Sequence, residues 1–354
     1  ERERRGIEGG SSTLMLLLVN LAAALATPLI ERVVISSGTH GNEYTGVYVC
    51  QRLALLQEEL SLSFPSLKLE QLVANPLAHQ GNRRFVHADL NRMFTADSLA
   101  DLSATGYEPN RAKAIEAQLG PKGPNAAADM VIDLHTTTAN MGCTLIVDEW
   151  CPLAIHAAAY VKACWEDSDT LAGSDHLGEG CALPLRILLH ANPDQTKAPY
   201  LSSVGKNGMQ IEVGPTPQGM LRADCIAATE RALRLILQYL ELYNNGQAPE
   251  PSSPTIDVYV DKGKVPWASG PPTSSLPGSV VHPSLQDRDY DALHKGDPLF
   301  VRLDGSLEMY DGSLGDTVYP IFINEAAYYY SESGRGISMC DRVQWPMPEL
   351  PVAN

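Results

Sequence analysis

Between residues 32 and 213 the sequence writes one short apolar run after another, and this pattern most limits what the chain can become. RVVIS (32–36), LEQLVAN (69–75), MVIDL (130–134), CTLIV (143–147), LRILL (185–189) and MQIEV (209–213) are bounded by turn residues, as buried strands are. Between them, residues 44–60, 111–119, 152–165 and 222–244 place apolar side chains at helical spacing. Pro76 stops the second run, and Gly120-Pro121 punctuates the second helix. Apolar strands that alternate with helices predict a mostly parallel or mixed α/β sheet covered by helices on both faces.

Composition narrows the function classes. Of 354 residues, 44% are hydrophobic, which is enough to bury a core and excludes a disordered chain. Lys and Arg number 26 against 42 Asp and Glu, a net charge of -16. That balance repels phosphate backbones and excludes nucleic-acid binding. The seven cysteines are scattered with no C-x-x-C, and no N-x-S/T acceptor occurs. Reduced thiols and a cytoplasmic location are the expectation. Residues 13–30, TLMLLLVNLAAALATPLI behind ERERR, point the other way, because a basic start, an apolar stretch and A-L-A are the layout of a signal peptide. Residues 1–27 are therefore set apart as an extension, with a secretory or membrane-associated protein as the alternative. The phrase GQAPEPSSPT (246–255) is a linker. It separates a sheet domain (28–248) from a smaller β-rich domain (255–335), which carries a flexible loop at 266–279. Residues 336–354 read as a tail.

In open α/β sheets, sites form beyond the carboxyl ends of strands. Directly after RVVIS comes S-G-T followed by His40, Gly41, Asn42 and Glu43, and directly after MVIDL comes His135. Two imidazoles and a carboxylate, with a fourth position for water, are the donor set of a catalytic zinc site. H-x-x-E alone is weak: a second copy, His176–Glu179, has no apolar strand before it and reads as a solvated loop. Singly, His40 reads equally as a loop or capping histidine, and His135 as a residue closing a strand. Glu212, inside MQIEV, resists a bland reading, because a buried carboxylate is costly unless paired, metal-associated or functional. Burial also raises a carboxyl pKa towards neutrality, as a general base requires. The stretch GNRRFVHADLNRMF (81–94) gathers Arg83, Arg84, Asn91 and Arg92 in a chain with few bases. Arg83 reads as solvated, whereas D-L-N-R suits an anion clamp. Of the consecutive Tyr328, Tyr329 and Tyr330, at most two can line a pocket, since neighbours point in different directions.

Together these phrases resemble the aspartoacylase/aminoacylase-3 family of zinc amidohydrolases. The resemblance is carried by GTHGNE-TG (38–46), NP followed by DLNR (75–92), GPK (120–122), DLH-TT-NMG (133–142) and IEVGP-PQG (211–219). LRAD (221–224), HP-LQD-D (282–289) and VYP-F-NEAAYY (318–329) complete it. It implies a zinc-carboxypeptidase-like domain, then a β-rich domain restricting access. It also implies one zinc ion per subunit on His40, Glu43 and His135, with Glu212 as general acid/base and Arg84 polarising the scissile carbonyl. Asn91, Arg92 and Tyr328 would hold the substrate's α-carboxylate. The implied reaction is hydrolysis of an N-acyl-L-amino acid to a carboxylate and a free amino acid, by a homo-oligomer. Aspartoacylase grips a second carboxylate with a tyrosine and an arginine, but counting back without gaps those places hold Ala198 and Ser202, with Tyr200 nearby. Loss of that arginine removes a charge-assisted bond worth roughly 1.5–3 kcal/mol. The phrase SVGKNG (203–208) also looks like the aminoacylase-3 branch, which takes N-acyl aromatic amino acids and mercapturates. Three rivals remain: aspartoacylase itself, with a gap bringing Arg186 into place; a zinc carboxypeptidase; and a non-catalytic binding protein.

Overall fold

Each apolar run forms a strand: β1 (Arg32–Ser37), β2 (Lys68–Val73), β3 (Met130–Thr136), β4 (Gly142–Asp148), β5 (Leu185–His190) and β6 (Asn207–Gly214). The computed structural model describes residues 29–166, 183–270, 276–329 and 336–350. The signal-like segment 1–27, the second H-x-x-E copy and part of the 266–279 loop lie outside them. The long helices are α1 (Tyr44–Leu55), α2 (Tyr107–Leu119), α3 (Pro152–Glu166) and α4 (Ala223–Asn244). No helix among the described residues is long and apolar enough to cross a membrane.

Strand parity positions the site. Ile35, Ile132, Leu134, Leu145, Val147, Ile187, Leu189, Ile211 and Val213 pack into one core with α1, α3 and α4. Side chains alternate across a sheet, so residues one step out of phase share the opposite face. Those residues are Asp133 and His135 on β3, Ile146 on β4, Leu188 and His190 on β5, and Gln210 and Glu212 on β6. One region of that face is covered by α2, where Ala112, Ile115 and Leu119 pack with Val34 and Val131. Another is covered by Tyr290 and Ile321, which pack with Ile146 and Leu188.

The C-terminal part continues the main sheet. After β7 (Thr255–Val265) come β8 (Ser279–Val281), β9 (Leu293–His294), β10 (Pro298–Arg302), β11 (Leu307–Met309), β12 (Thr317–Ile321) and β13 (Ile337–Pro346). The large mixed sheet runs β2-β1-β3-β6-β4-β5-β7-β13-β12-β9, and β11-β10-β8 form a small second sheet. β7 joins β5 in parallel, pairing Leu188 with Tyr259. The expected tail therefore needs correction. Residues 337–346 are a strand paired antiparallel with β7 from Ile337↔Val265 to Pro346↔Thr255. Its outer half alternates Val343 and Trp345, packed on the core, with the exposed Arg342 and Gln344. Polar residues and a terminal proline disguised a half-buried edge as a tail.

A chain ending at Gly336 would leave β7 and β12 with unpaired edges, which invite aggregation. Size-exclusion chromatography is expected to show loss of monodisperse protein. A cooperative melt at the full-length temperature would show instead that β13 is dispensable.

Candidate active site

The loop after β1 can take its path because of two glycines. Gly38 has φ +60, and a Cβ on Gly41 would lie 2.2 Å from the backbone of Ala78 and His79. Gly41 N–H donates to the Arg84 carbonyl (3.0 Å), and His79 Nδ1 lies 2.9 Å from the Gly41 carbonyl oxygen. This stitching sets Glu43 beside the end of β3. There His135 stands in register with Glu212 of β6, and Glu212 in turn with Thr144 of β4.

The three predicted ligands converge. Donor atoms of His40, Glu43 and His135, all buried, lie within 4.8 Å of one another. His40 Nδ1 is 2.6 Å from Glu43 Oε1, and His135 Nδ1 is 3.0 Å from Glu43 Oε2. Each imidazole turns its other nitrogen to a carboxylate: His40 Nε2 to Asp89 (3.0 Å) and His135 Nε2 to Asp133 (2.8 Å). Such outer carboxylates fix the tautomer and aim of metal-binding histidines. The donor set, its mutual reach and its oriented imidazoles all fit a divalent metal. Burial alone would raise the Glu43 carboxyl, but the His40 and His135 imidazoles override it and hold it well below the usual carboxylate range.

All eight predicted site residues line one cleft, with Arg84, Asn91, Arg92, Glu212 and Tyr328 joining the ligand set. Burial pushes the Glu212 carboxyl up to about 8, and the nearby charge of Glu43 adds to the effect. Arg84 donates to Asp89 Oδ2 through Nε (3.2 Å) and Nη2 (3.0 Å), and to Glu43 Oε1 through Nη1 (3.3 Å). Asn91 is held firmly, its Oδ1 accepting from Leu201 N–H (2.9 Å) and its Nδ2 donating to Gln210 (3.2 Å). Tyr328 reaches Ser338 Oγ through its hydroxyl (3.2 Å), whereas Tyr329 packs against Trp267. Tyr330 lies outside the described residues. Arg83 is exposed, as expected. Arg186 stays away from the cleft, its guanidinium 5.6 Å from the Tyr290 ring centre. Ala198 and Ser202 are buried and do not line the cleft; Tyr200 does.

Several contributors escaped the sequence reading. Asp133 was legible in principle, since D-L-H places it on the same face as His135. Glu108 was not: it sits in the first turn of α2, fully buried, and accepts from the N–H groups of His87 (2.9 Å) and Ala88 (3.2 Å) and from Asn75 Nδ2 (3.2 Å). It thereby shapes the turn leading to Asp89, Asn91 and Arg92. Glu325 accepts from Thr137 and Thr138, closing the C-terminal part onto the turn after β3.

With this geometry in view, the comparisons decide the lineage. Residues 30–240 match the succinylglutamate desuccinylase/aspartoacylase catalytic domain, and residues 269–334 the AstE/AspA barrel-sandwich hybrid domain. The chain belongs to the succinylglutamate desuccinylase/aspartoacylase family. Aspartoacylase of Rattus norvegicus is 36% identical over 312 residues, covering 87% of this chain and 92% of that protein. The N-acyl-aromatic-L-amino acid amidohydrolase (carboxylate-forming) of Rattus norvegicus is also 36% identical, over 327 residues, covering 92% and 94%. The crystal structure of murine aminoacylase 3 superposes with a TM-score of 0.75 at 34% identity, covering 91% and 99%. Equal identity to two family members with different names leaves the substrate to be argued from the cleft.

Glu108 gives a test of how the D-L-N-R turn is held. Burial alone would raise its carboxyl, but the backbone donors of Val86 and His87 override this and hold it below its ordinary value. Its stabilisation is therefore full above about pH 4.3 and is lost as the pH falls through its lower folded value. Glu108→Gln is expected to lose about 1–3 kcal/mol in urea unfolding at pH 7. The gap to the parent should narrow on acidification; a gap independent of pH would contradict this role.

Proposed function

We propose that this chain is a zinc-dependent amidohydrolase that cleaves N-acyl-L-amino acids with uncharged, preferably aromatic, side chains. The observation that carries the reading is the His40–Glu43–His135 set in one cleft with Glu212 and Arg84. Both family members named above act, by their names, on acylated amino acids, which supports the reaction class.

His40, Glu43 and His135 would hold the ion, which supplies Lewis acidity and favours ionisation of water. Glu212, its carboxyl poised near neutrality, takes the proton of the attacking water and passes it to the leaving nitrogen. Arg84 already points its guanidinium at the ligand set and stabilises the oxyanion as the carbonyl is attacked. Asn91, Arg92 and Tyr328 hold the α-carboxylate, the two side-chain nitrogen donors being fixed on one short turn (Leu90–Arg92). The aspartoacylase alternative needs a second guanidinium for a side-chain carboxylate. Arg186 sits over Tyr290, and Ser202 stands buried where that arginine would be counted, so the cleft favours a neutral side chain.

Three outcomes test this. Comparing kcat/KM for N-acetyl-tyrosine, an N-acetyl-S-aryl-cysteine and N-acetylaspartate should favour the first two; preference for the third would overturn the substrate assignment. Glu212→Gln should cut kcat by about 10²–10⁴-fold while zinc stays near one per chain, and normal turnover would remove Glu212 from the mechanism. Asp133→Asn should weaken zinc affinity roughly 10–100-fold in chelator competition. Unchanged affinity would show that Asp133 does not support His135 as a ligand.

A further inference from the structure

The far end of the cleft, away from the ligand set, is walled by Ile146, Leu188, His190, Tyr200 and Phe322. In the sheet order β6-β4-β5, His190 stands two strands from the one carrying Glu212. Their partners on β4, Thr144 and Asp148, are four residues apart, so at about 4.8 Å per strand and about 3.4 Å per residue the two backbones stand about 16 Å apart, and a substrate cleaved beside Glu212 reaches His190 only with a long, extended side chain. Apolar side chains make most of this wall, and His190 and the Tyr200 hydroxyl are its polar points.

His190 is oriented from behind. Its Nδ1 lies 3.2 Å from Oδ1 of Asp148, its partner across β4 and β5. Asp148 is buried at 1% exposure, and its Oδ2 has no hydrogen-bond partner among the described residues. An ionised carboxylate only accepts, so Nδ1 carries a proton towards it, and in the neutral imidazole Nε2 is then the acceptor. Nε2 makes no hydrogen bond among the described residues. The imidazole is stacked on Tyr200, with ring centres 4.9 Å apart and 19° between planes, and the Arg92 guanidinium lies 5.5 Å from the Tyr200 ring centre. The α-carboxylate clamp and the side-chain wall are thus joined through one aromatic ring.

We propose that His190, oriented by Asp148, reads the substrate side chain by accepting a hydrogen bond from it. The preferred class is an N-acyl amino acid whose flat side chain ends in a donor, such as a phenol O–H or an indole N–H. This rests on the amidohydrolase reading above and adds to it the residue that selects. A site built to bond a substrate hydroxyl rejects the analogue without it far more strongly than an apolar pocket separates two sizes.

The test is the ratio of kcat/KM for N-acetyl-tyrosine over N-acetyl-phenylalanine, measured on the zinc-loaded full chain. The parent is expected to show a ratio of about ten or more. His190→Leu should bring it to about one whatever the absolute rates, and His190→Gln, which keeps an acceptor oxygen, should retain part of it. Asp148→Asn removes the group that fixes the tautomer and should lower the ratio; a merely structural defect would slow both substrates equally. A parent ratio near one, or a ratio unchanged in His190→Leu, would overturn the proposal. So would N-acetylaspartate as best substrate with its preference lost in His190→Leu. Absence of turnover on every N-acyl amino acid would instead overturn the amidohydrolase reading itself.

Discussion

The site is organised around a single buried carboxylate. Glu43 faces Nδ1 of both His40 and His135, accepts the backbone N–H of Thr136 (3.1 Å) and receives Arg84. A carboxylate removed from water is tolerable only when its oxygens are satisfied by donors or cations. That requirement ties three separate pieces of chain to one another: the loop after β1, the end of β3 and the segment from Arg84 to Asp89. Their relative placement is what a metal ion needs, so the constraint that keeps the fold consistent also prepares the chemistry.

Outward from Glu43, the same economy recurs in acids that hold the scaffold instead of reacting. Asp89 and Asp133 steady the imidazoles, Glu108 gathers the backbone ahead of the D-L-N-R turn, and Glu325 fastens the C-terminal part to Thr137 and Thr138. The strong acidic balance of the chain looks, from composition, like a matter of surface and solubility. Part of it is internal. These carboxylates, fully buried except the half-buried Asp89, let loops that carry no regular hydrogen bonding keep defined shapes, and Arg84 and Arg92 supply the positive charge that an anionic substrate would otherwise not find.

Much of the fold and of the site was legible before any coordinates, for identifiable reasons. Short apolar runs between amphipathic segments force a covered α/β sheet, and residues that directly follow such runs stand at its carboxyl edge. His40, Glu43 and His135 were found by that rule, and Glu212 by the cost of placing a carboxylate inside an apolar strand. Glu108 escaped because a glutamate in the first turn of a helix is ordinary, and only the approach of residues 86–88 makes it exceptional. The strand 337–346 escaped because alternation with arginine, glutamine and a final proline resembles a tail until β7 is there to pair with it.

The sequence by itself determined the period-two parity of each strand, and therefore which side chains of one strand share a face: Asp133 with His135, Leu188 with His190, and Gln210 with Glu212. Parity acts within a strand, through local backbone geometry, so no tertiary knowledge is needed. Strand order is different. That β6 inserts between β3 and β4, placing Glu212 beside His135, and that β5 carries His190 to the far wall of the cleft, follows from long-range pairing. Such pairing depends on how the whole core packs, which no single run of residues encodes. The tertiary structure likewise turned Arg186 towards Tyr290 and brought Tyr200 to the cleft, and with that choice it set the chemistry of the pocket's far end.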